Sequence, residues 1–97
     1  MVLEVATITV TPGAEDAFVA AYRGVRHVIV GAEGCRSVRM TRGVESPSTF
    51  VLLVEWDSVA AHDEGFRQTA RFAEWRGAIG PHFAQPPHVE HFEDVDD

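Results

Sequence analysis

The chain has no lysine, one cysteine and no long apolar run, and each scarcity removes a class of function. Its basic residues are all arginines, scattered from Arg23 to Arg76, and the formal net charge is −7. Phosphate binding draws on clustered Lys and Arg, so no nucleic-acid partner is expected. Cys35 cannot close an internal disulfide, and it reads as a small buried or half-buried hydrophobe rather than a nucleophile. No apolar stretch approaches the ~20 residues that span a bilayer. The opening Met1-Val2-Leu3-Glu4 places no basic region ahead of an apolar one, so no membrane association and a cytoplasmic location are the expectations.

Several chemical signatures are also missing. There is no Cys-x-x-Cys, His-Glu-x-x-His, glycine-rich phosphate loop or Gly-x-Ser-x-Gly, which leaves zinc, nucleotide and serine-hydrolase readings without support. Five histidines invite a metal site, but His88 and His91 are three apart on a predicted strand and so point to opposite faces, and His82 sits past a helix end. No metal is expected. The acidic residues Glu90, Glu93, Asp94, Asp96 and Asp97 read as a solvated, frayed tail, with a docking role as the alternative.

What is present is an ordinary globular composition, 45% hydrophobic and 24% charged over 97 residues, with no internal repeat: a single domain, 1–97. Its strongest signal is Phe50-Val-Leu-Leu-Val-Glu-Trp56, apolar at six of seven positions and closed off by Asp57-Ser58. Alternation puts Phe50, Leu52, Val54 and Trp56 on one face of a strand and Val51 and Leu53 on the other. Both faces want cover. Each large apolar side chain left in water forfeits roughly 1.5–3 kcal/mol, and a chain of this size has helix enough for one side only. A second copy is expected to cover the other.

The remaining elements follow from periodicity. Residues 2–10 read as a strand, with Ala6, Ile8 and Val10 on one face and Leu3, Val5, Thr7 and Thr9 on the other. Thr11-Pro12-Gly13 predicts a helix start, with Thr11 as cap and Pro12 in the first turn, and Ala14, Phe18, Ala21, Tyr22, Val25 and Ile29 give an amphipathic helix over 13–30, closed by Gly31 and Gly34. Residues 35–42 form a weaker strand in which Cys35, Ser37, Arg39 and Thr41 alternate with Arg36, Val38, Met40 and Arg42. A loop at 43–48 leads to the strong strand, 49–56. A short helical turn over 59–65, capped by Asp57 or Ser58, and a helix from Thr69 to His82 with Phe72, Trp75, Ile79 and Phe83 on one stripe precede a last strand at 88–95. Strand, helix, strand, strand, helix, strand is the ferredoxin-like βαββαβ plan: an α+β fold with a four-stranded antiparallel sheet and both helices on one face. Sheet-to-sheet pairing of two copies would complete it.

Taken in order, several pieces resemble the antibiotic biosynthesis monooxygenase domains of the dimeric α/β-barrel superfamily. They are Ala6-Thr-Ile-Thr-Val-Thr-Pro-Gly13, Gly34-Cys-Arg-Ser-Val-Arg39, Phe50 to Ser58, Ala61-His62 and Phe72, and together they cover nearly the whole chain. The resemblance implies a homodimer through the sheet faces, with a pocket between sheet and helices in each subunit. It also implies O₂-dependent oxygenation of a small aromatic compound (a phenol, anthrone or quinol) without metal, flavin or haem. Such chemistry needs an apolar chamber, a base, and donors for the oxyanion. A haem-degrading branch of the superfamily uses an Asn, a Trp and a His where this chain has Ala6, Phe66 and Arg76, so haem is not expected and no cofactor is assigned. Because a fold does not fix a function, a non-catalytic ligand-binding or stress-related dimer stays open as an alternative, as does a dimerisation module.

The candidate catalytic residues are His62, Trp75 and Tyr22. His62 has the unperturbed pKa of a general base near neutrality, against the plainer reading of a helix-surface or hydrogen-bonded histidine. Trp75 belongs to the core stripe or turns its indole N–H into the chamber, and Tyr22, four after Phe18, has the same double reading. Phe18, Phe66, Phe72, Arg76 and Ile79 are the candidate substrate-binding residues; for Arg76 the competing role is a solvated helix face. Trp56 reads as packing.

Overall fold

The computed structural model describes residues 1–96, and Asp97 of the acidic tail lies outside them. The elements run β1 (Val2–Thr9), α1 (Glu15–Val30), β2 (Cys35–Arg42), β3 (Thr49–Trp56), α2 (Val59–His62), a π-helical turn (Asp63–Arg67), α3 (Ala70–Ile79), a 3₁₀ turn (Gly80–His82) and β4 (His88–Phe92). The four strands form one antiparallel sheet in the order β2-β3-β1-β4, the ferredoxin-like arrangement expected from the element order.

Strand parity decides the core. Ala6 and Ile8 of β1, Val10 just beyond it, Val38 of β2, and Phe50, Leu52, Val54 and Trp56 of β3 are buried beneath the helices. Against them α1 packs Phe18, Tyr22, Val25, Val28 and Ile29, and α3 packs Trp75 and Ile79. The opposite face of the sheet carries Leu3, Val5, Val51 and Leu53 half-exposed, with no helix over it. That face therefore carries a central apolar patch, bordered by Thr7, Arg39, Thr41, Glu55 and Glu90, where a solvated antiparallel sheet would be polar. No helix among the described residues is long and apolar enough to cross a membrane.

Five local expectations are corrected. The first helix begins at Glu15, because Gly13 adopts φ +95°, a conformation that opens a turn and cannot belong to a helix. Thr11 therefore closes that turn by accepting the Ala14 N–H at 2.9 Å instead of capping the helix with its hydroxyl. A bulge between Cys35 and Ser37 breaks the alternation of β2, so half-buried Cys35 pairs opposite Trp56 on the core side while Ser37 faces out. The helix expected to reach His82 narrows to a 3₁₀ turn at Gly80-Pro81, and β4 ends at Phe92.

The segment 57–67 is shaped by capping and packing. The Ser58 hydroxyl accepts the Ala61 N–H at 3.1 Å and starts α2, as the sequence allowed. The helix then widens into the π turn, which carries Phe66 to a sealed position 5.6 Å from the Trp56 ring. Wide turns of this kind are frequent at functional sites. Just ahead of it, α2 places His62 against Glu4 near the start of β1.

Candidate functional site

A cavity of about 380 Å³ lies between the sheet and α3. Its floor is Ala6, Ile8, Leu52 and Val89, its roof Phe72, Trp75, Arg76 and Ile79, and its outer wall Phe83, Pro86 and Pro87. The wall holds its place because the chain after α3 is tied back to β1, with Thr11 N–H donating to the His82 carbonyl and Ala84 N–H to that of Thr9. The size suits a small-molecule site, and the lining sets polar groups among apolar side chains. Those groups gather at one end, where Glu4, His62 and Arg67 complete the lining.

Five of the expected site residues, His62, Trp75, Phe72, Arg76 and Ile79, meet in this cavity. Arg76 lies at its edge with its guanidinium 4.9 Å above the Phe83 ring, so its stem is held by an aromatic face and does not trail in solvent. The other three are placed elsewhere. Tyr22 packs edge-on against Trp75 at 6.0 Å and borders a separate groove with Met40 and Phe50. Phe18 is sealed against Phe50 at 4.7 Å, and Phe66 forms a second layer behind His62, between Trp56 and Phe72. All three are large apolar bodies at helix-core positions, and core packing claimed them.

The residue that sequence reasoning passed over is Glu4. It shares the parity of Ala6 and Ile8, so it points under the helices, where it is only 4% exposed. Trp56, expected only to pack, donates its indole N–H to Glu4 Oε1 at 2.9 Å. The same oxygen lies 3.3 Å from His62 Nε2. His62 is itself buried, stacked on Trp56 with ring centres 5.1 Å apart, and its Nδ1 meets His91 Nε2 at 2.7 Å. Among the described residues no sealed side-chain nitrogen or oxygen lacks a partner. Glu4 Oε2, which makes neither contact, therefore opens onto the cavity that Glu4 lines. By the same reasoning the Trp75 indole N–H is also presented to the cavity.

Burial sets the charge states. Loss of water raises the Glu4 carboxyl above its ordinary 4.5, an effect opposed by the Trp56 hydrogen bond and the Arg67 charge and reinforced by Asp63. Burial likewise lowers His62 from 6.5 to about 4, with the charges of His91 and Arg67 adding to the fall and Asp63 opposing it. Both groups are thus driven toward their neutral forms, and the 3.3 Å contact joins a carboxyl to a neutral imidazole and is not a fixed ion pair. A carboxyl held toward its neutral form by desolvation, with one oxygen open to the cavity, is equipped to exchange a proton with a bound molecule. Among the described residues no three histidine, cysteine or acidic side chains are placed to hold a metal ion.

Fold and site together describe a ferredoxin-like α+β domain with a small-molecule chamber under its helices. The chain belongs to the antibiotic biosynthesis monooxygenase family, whose pattern it matches over residues 1–78. It is 34% identical over 95 residues to the uncharacterized protein YczJ of Bacillus subtilis, a match covering 98% of this chain and 100% of that one. A crystal structure from Bordetella bronchiseptica, named for the same family, superposes with a TM-score of 0.93 at 40% identity, covering 97% of this chain and 96% of that one. A family member from Nitrosomonas europaea superposes at 0.83 with 18% identity over 99% and 100% of the two chains, a likeness of fold alone.

Proposed function

We propose that this protein is a cofactor-independent monooxygenase acting on a small electron-rich aromatic compound of the phenol, anthrone or quinol type. The observation that carries the reading is the buried Glu4 carboxyl, backed by Trp56 and His62 and open through Oε2 to an apolar cavity. Glu4 takes the acidic proton of the bound compound, replacing the expectation that His62 does so directly. The anion is balanced by Arg67 and Arg76 at the chamber edge and by the Trp75 N–H. Deprotonated, the substrate reduces O₂ by one electron, and the radical pair closes a C–O bond to give a peroxide. Loss of the second hydrogen from that carbon as a proton breaks the O–O bond, leaving a carbonyl and one water. The protein supplies a base, charge balance and exclusion of bulk water, while the electrons come from the substrate.

The reading includes a homodimer closed through the outer sheet face. Its support is the row of half-exposed apolar side chains, Leu3, Val5, Val51 and Leu53, together with Phe92, which is 49% exposed beside them.

Oxygen uptake with anthrone and hydroquinone probes tests the activity. Consumption above the uncatalysed rate, reduced about 10²–10⁴-fold by Glu4→Gln with the fold intact, is the expected result. Saturable probe binding with no oxygen consumption would overturn the catalytic reading and identify a binding protein of the same fold.

A further inference from the structure

The cavity explains Glu4, but His91 is not among its lining residues, and the contact between His91 and His62 has no part in the chemistry proposed above. A buried imidazole with one ring nitrogen toward a carboxyl and the other toward a second imidazole has the connectivity of a proton path. The sheet register makes the connection. Glu4 of β1 and His91 of β4 are directly opposed partners, so their side chains emerge side by side on the helix side of the sheet, and His62 descends from α2 to touch both. His91 stands on an edge strand and is half-buried, and its Nδ1 makes no hydrogen bond among the described residues. Since no sealed polar side-chain atom among the described residues is unpartnered, that nitrogen opens to the outside of the chamber.

We propose that Glu4, His62 and His91 form a proton relay between the inner end of the cavity and solvent at the β4 edge, with His91 as its outer terminus and a positioning residue for the reaction. The proposal rests on the reading of Glu4 as the group that exchanges a proton with the substrate.

The steps balance. With Glu4 protonated on Oε1, a substrate proton arriving on Oε2 releases the Oε1 proton to His62 Nε2. The His62 Nδ1 proton then passes to His91 Nε2, and the His91 Nδ1 proton passes to water. One proton enters, one leaves, and each ring exchanges which nitrogen carries hydrogen. The later breaking of the peroxide O–O bond consumes a proton to form water, and running the relay inward supplies it and restores the first arrangement. The relay itself stays neutral at both stages, and the one charge left in the chamber, the substrate anion, faces Arg67 and Arg76. That matters because an isolated buried charge there is costly, as the displaced titrations of Glu4 and His62 indicate. The groups that face the relay are Asp63 and Arg67 from the π turn, Glu4 from β1 and His91 from β4.

The contact lengths fit a relay at rest. His62 to His91 is a close hydrogen bond at 2.7 Å, while His62 to Glu4, at 3.3 Å, is the longer link that closes as the Oε1 proton passes to His62.

The protein alone provides the first test. Imidazole nitrogen chemical shifts at neutral pH are expected to place hydrogen on His62 Nδ1, the nitrogen facing His91, and Glu4→Gln to alter both rings. Hydrogen on His62 Nε2 instead, or a Glu4→Gln change confined to His62, overturns the relay whether or not the protein is an enzyme. The second test uses oxygen uptake with an anthrone probe. His91→Gln should lower kcat by about 10–100-fold, at the lower end of what general acid–base groups supply, and leave KM unchanged. Added imidazole should recover much of that loss in His91→Gln and none in Glu4→Gln. A His91→Gln enzyme with unaltered kcat, or a loss that imidazole does not recover, refutes the relay while leaving the Glu4 assignment standing. Absence of uptake in the wild type refutes the assignment and leaves the relay to the nitrogen shifts.

Discussion

The acid limb of stability should belong largely to His62. The imidazole is 3% exposed, and its folded-state pKa is held at about 4 against an ordinary 6.5. The unfolded chain takes up a proton on this residue as pH falls below 6.5, whereas the folded chain does so only near 4. His62 therefore contributes its full stability above pH 6.5, loses it progressively between 6.5 and about 4, and changes nothing further below. At ~1.4 kcal/mol per pH unit the loss amounts to at most about 3 kcal/mol. For a domain of this size that corresponds to roughly 10–20 °C in Tm. Glu4 works in the opposite sense: its raised folded pKa stabilises the fold at acid pH, and that contribution fades as pH rises through the raised value. Thermal and urea unfolding of wild type and His62→Gln at pH 7.5 and pH 4.5 separates the two, since Glu4 and the surface carboxylates are common to both proteins. The variant should be less stable at pH 7.5 but fall less on acidification. Parallel pH profiles in the two proteins would refute the argument that desolvation governs His62.

Three further outcomes follow from single contacts. Trp56→Phe removes the indole donor from Glu4 Oε1, and it should cost about 1.5–3 kcal/mol by urea unfolding and raise the Glu4 carboxyl further, as read by its carbon chemical shift. Gly34→Ala should destabilise by about 1–3 kcal/mol in a thermal melt, because φ is +83° and the new Cβ would lie 2.8 Å from that of Ala61. Leu53→Asp, on the outer sheet face, should leave the circular dichroism spectrum intact and shift the protein to a monomer in light scattering.

The central strand was legible because period-two patterning is strong at β3, and the ends of β2 and β3, at 35–42 and 49–56, coincide with the sequence reading although β2 alternates only weakly. Parity also assigned the buried face of β1 through Ala6 and Ile8, but an acid three residues from the chain start was not counted with them. Glu4 reads as surface until its neighbours are known. What the sequence cannot state is which residue 58 positions away will descend onto a given carboxylate. That meeting depends on how the short α2 and the turn after it pack on Trp56, which no local pattern states. His91 illustrates the same limit. Its separation from His88 correctly sent the two to opposite faces, which removed a metal pair and left unnoticed that His91 thereby joins Glu4 on the helix side. Tyr22 and Phe18 failed as cavity residues for a related reason: helical periodicity finds the buried stripe but not the gap within it.

Trp56 and Trp75 are the only indoles in the chain, and they occupy very different settings. Trp56 lies nearly parallel to the His62 ring, inclined by 17°, whereas Trp75 meets Tyr22 edge-on. Protonated imidazole quenches the emission of an indole stacked against it, so the fold contains its own optical gauge of the His62 charge. With Trp75 replaced by phenylalanine, the remaining fluorescence would report proton arrival at the chamber in real time, without label or substrate.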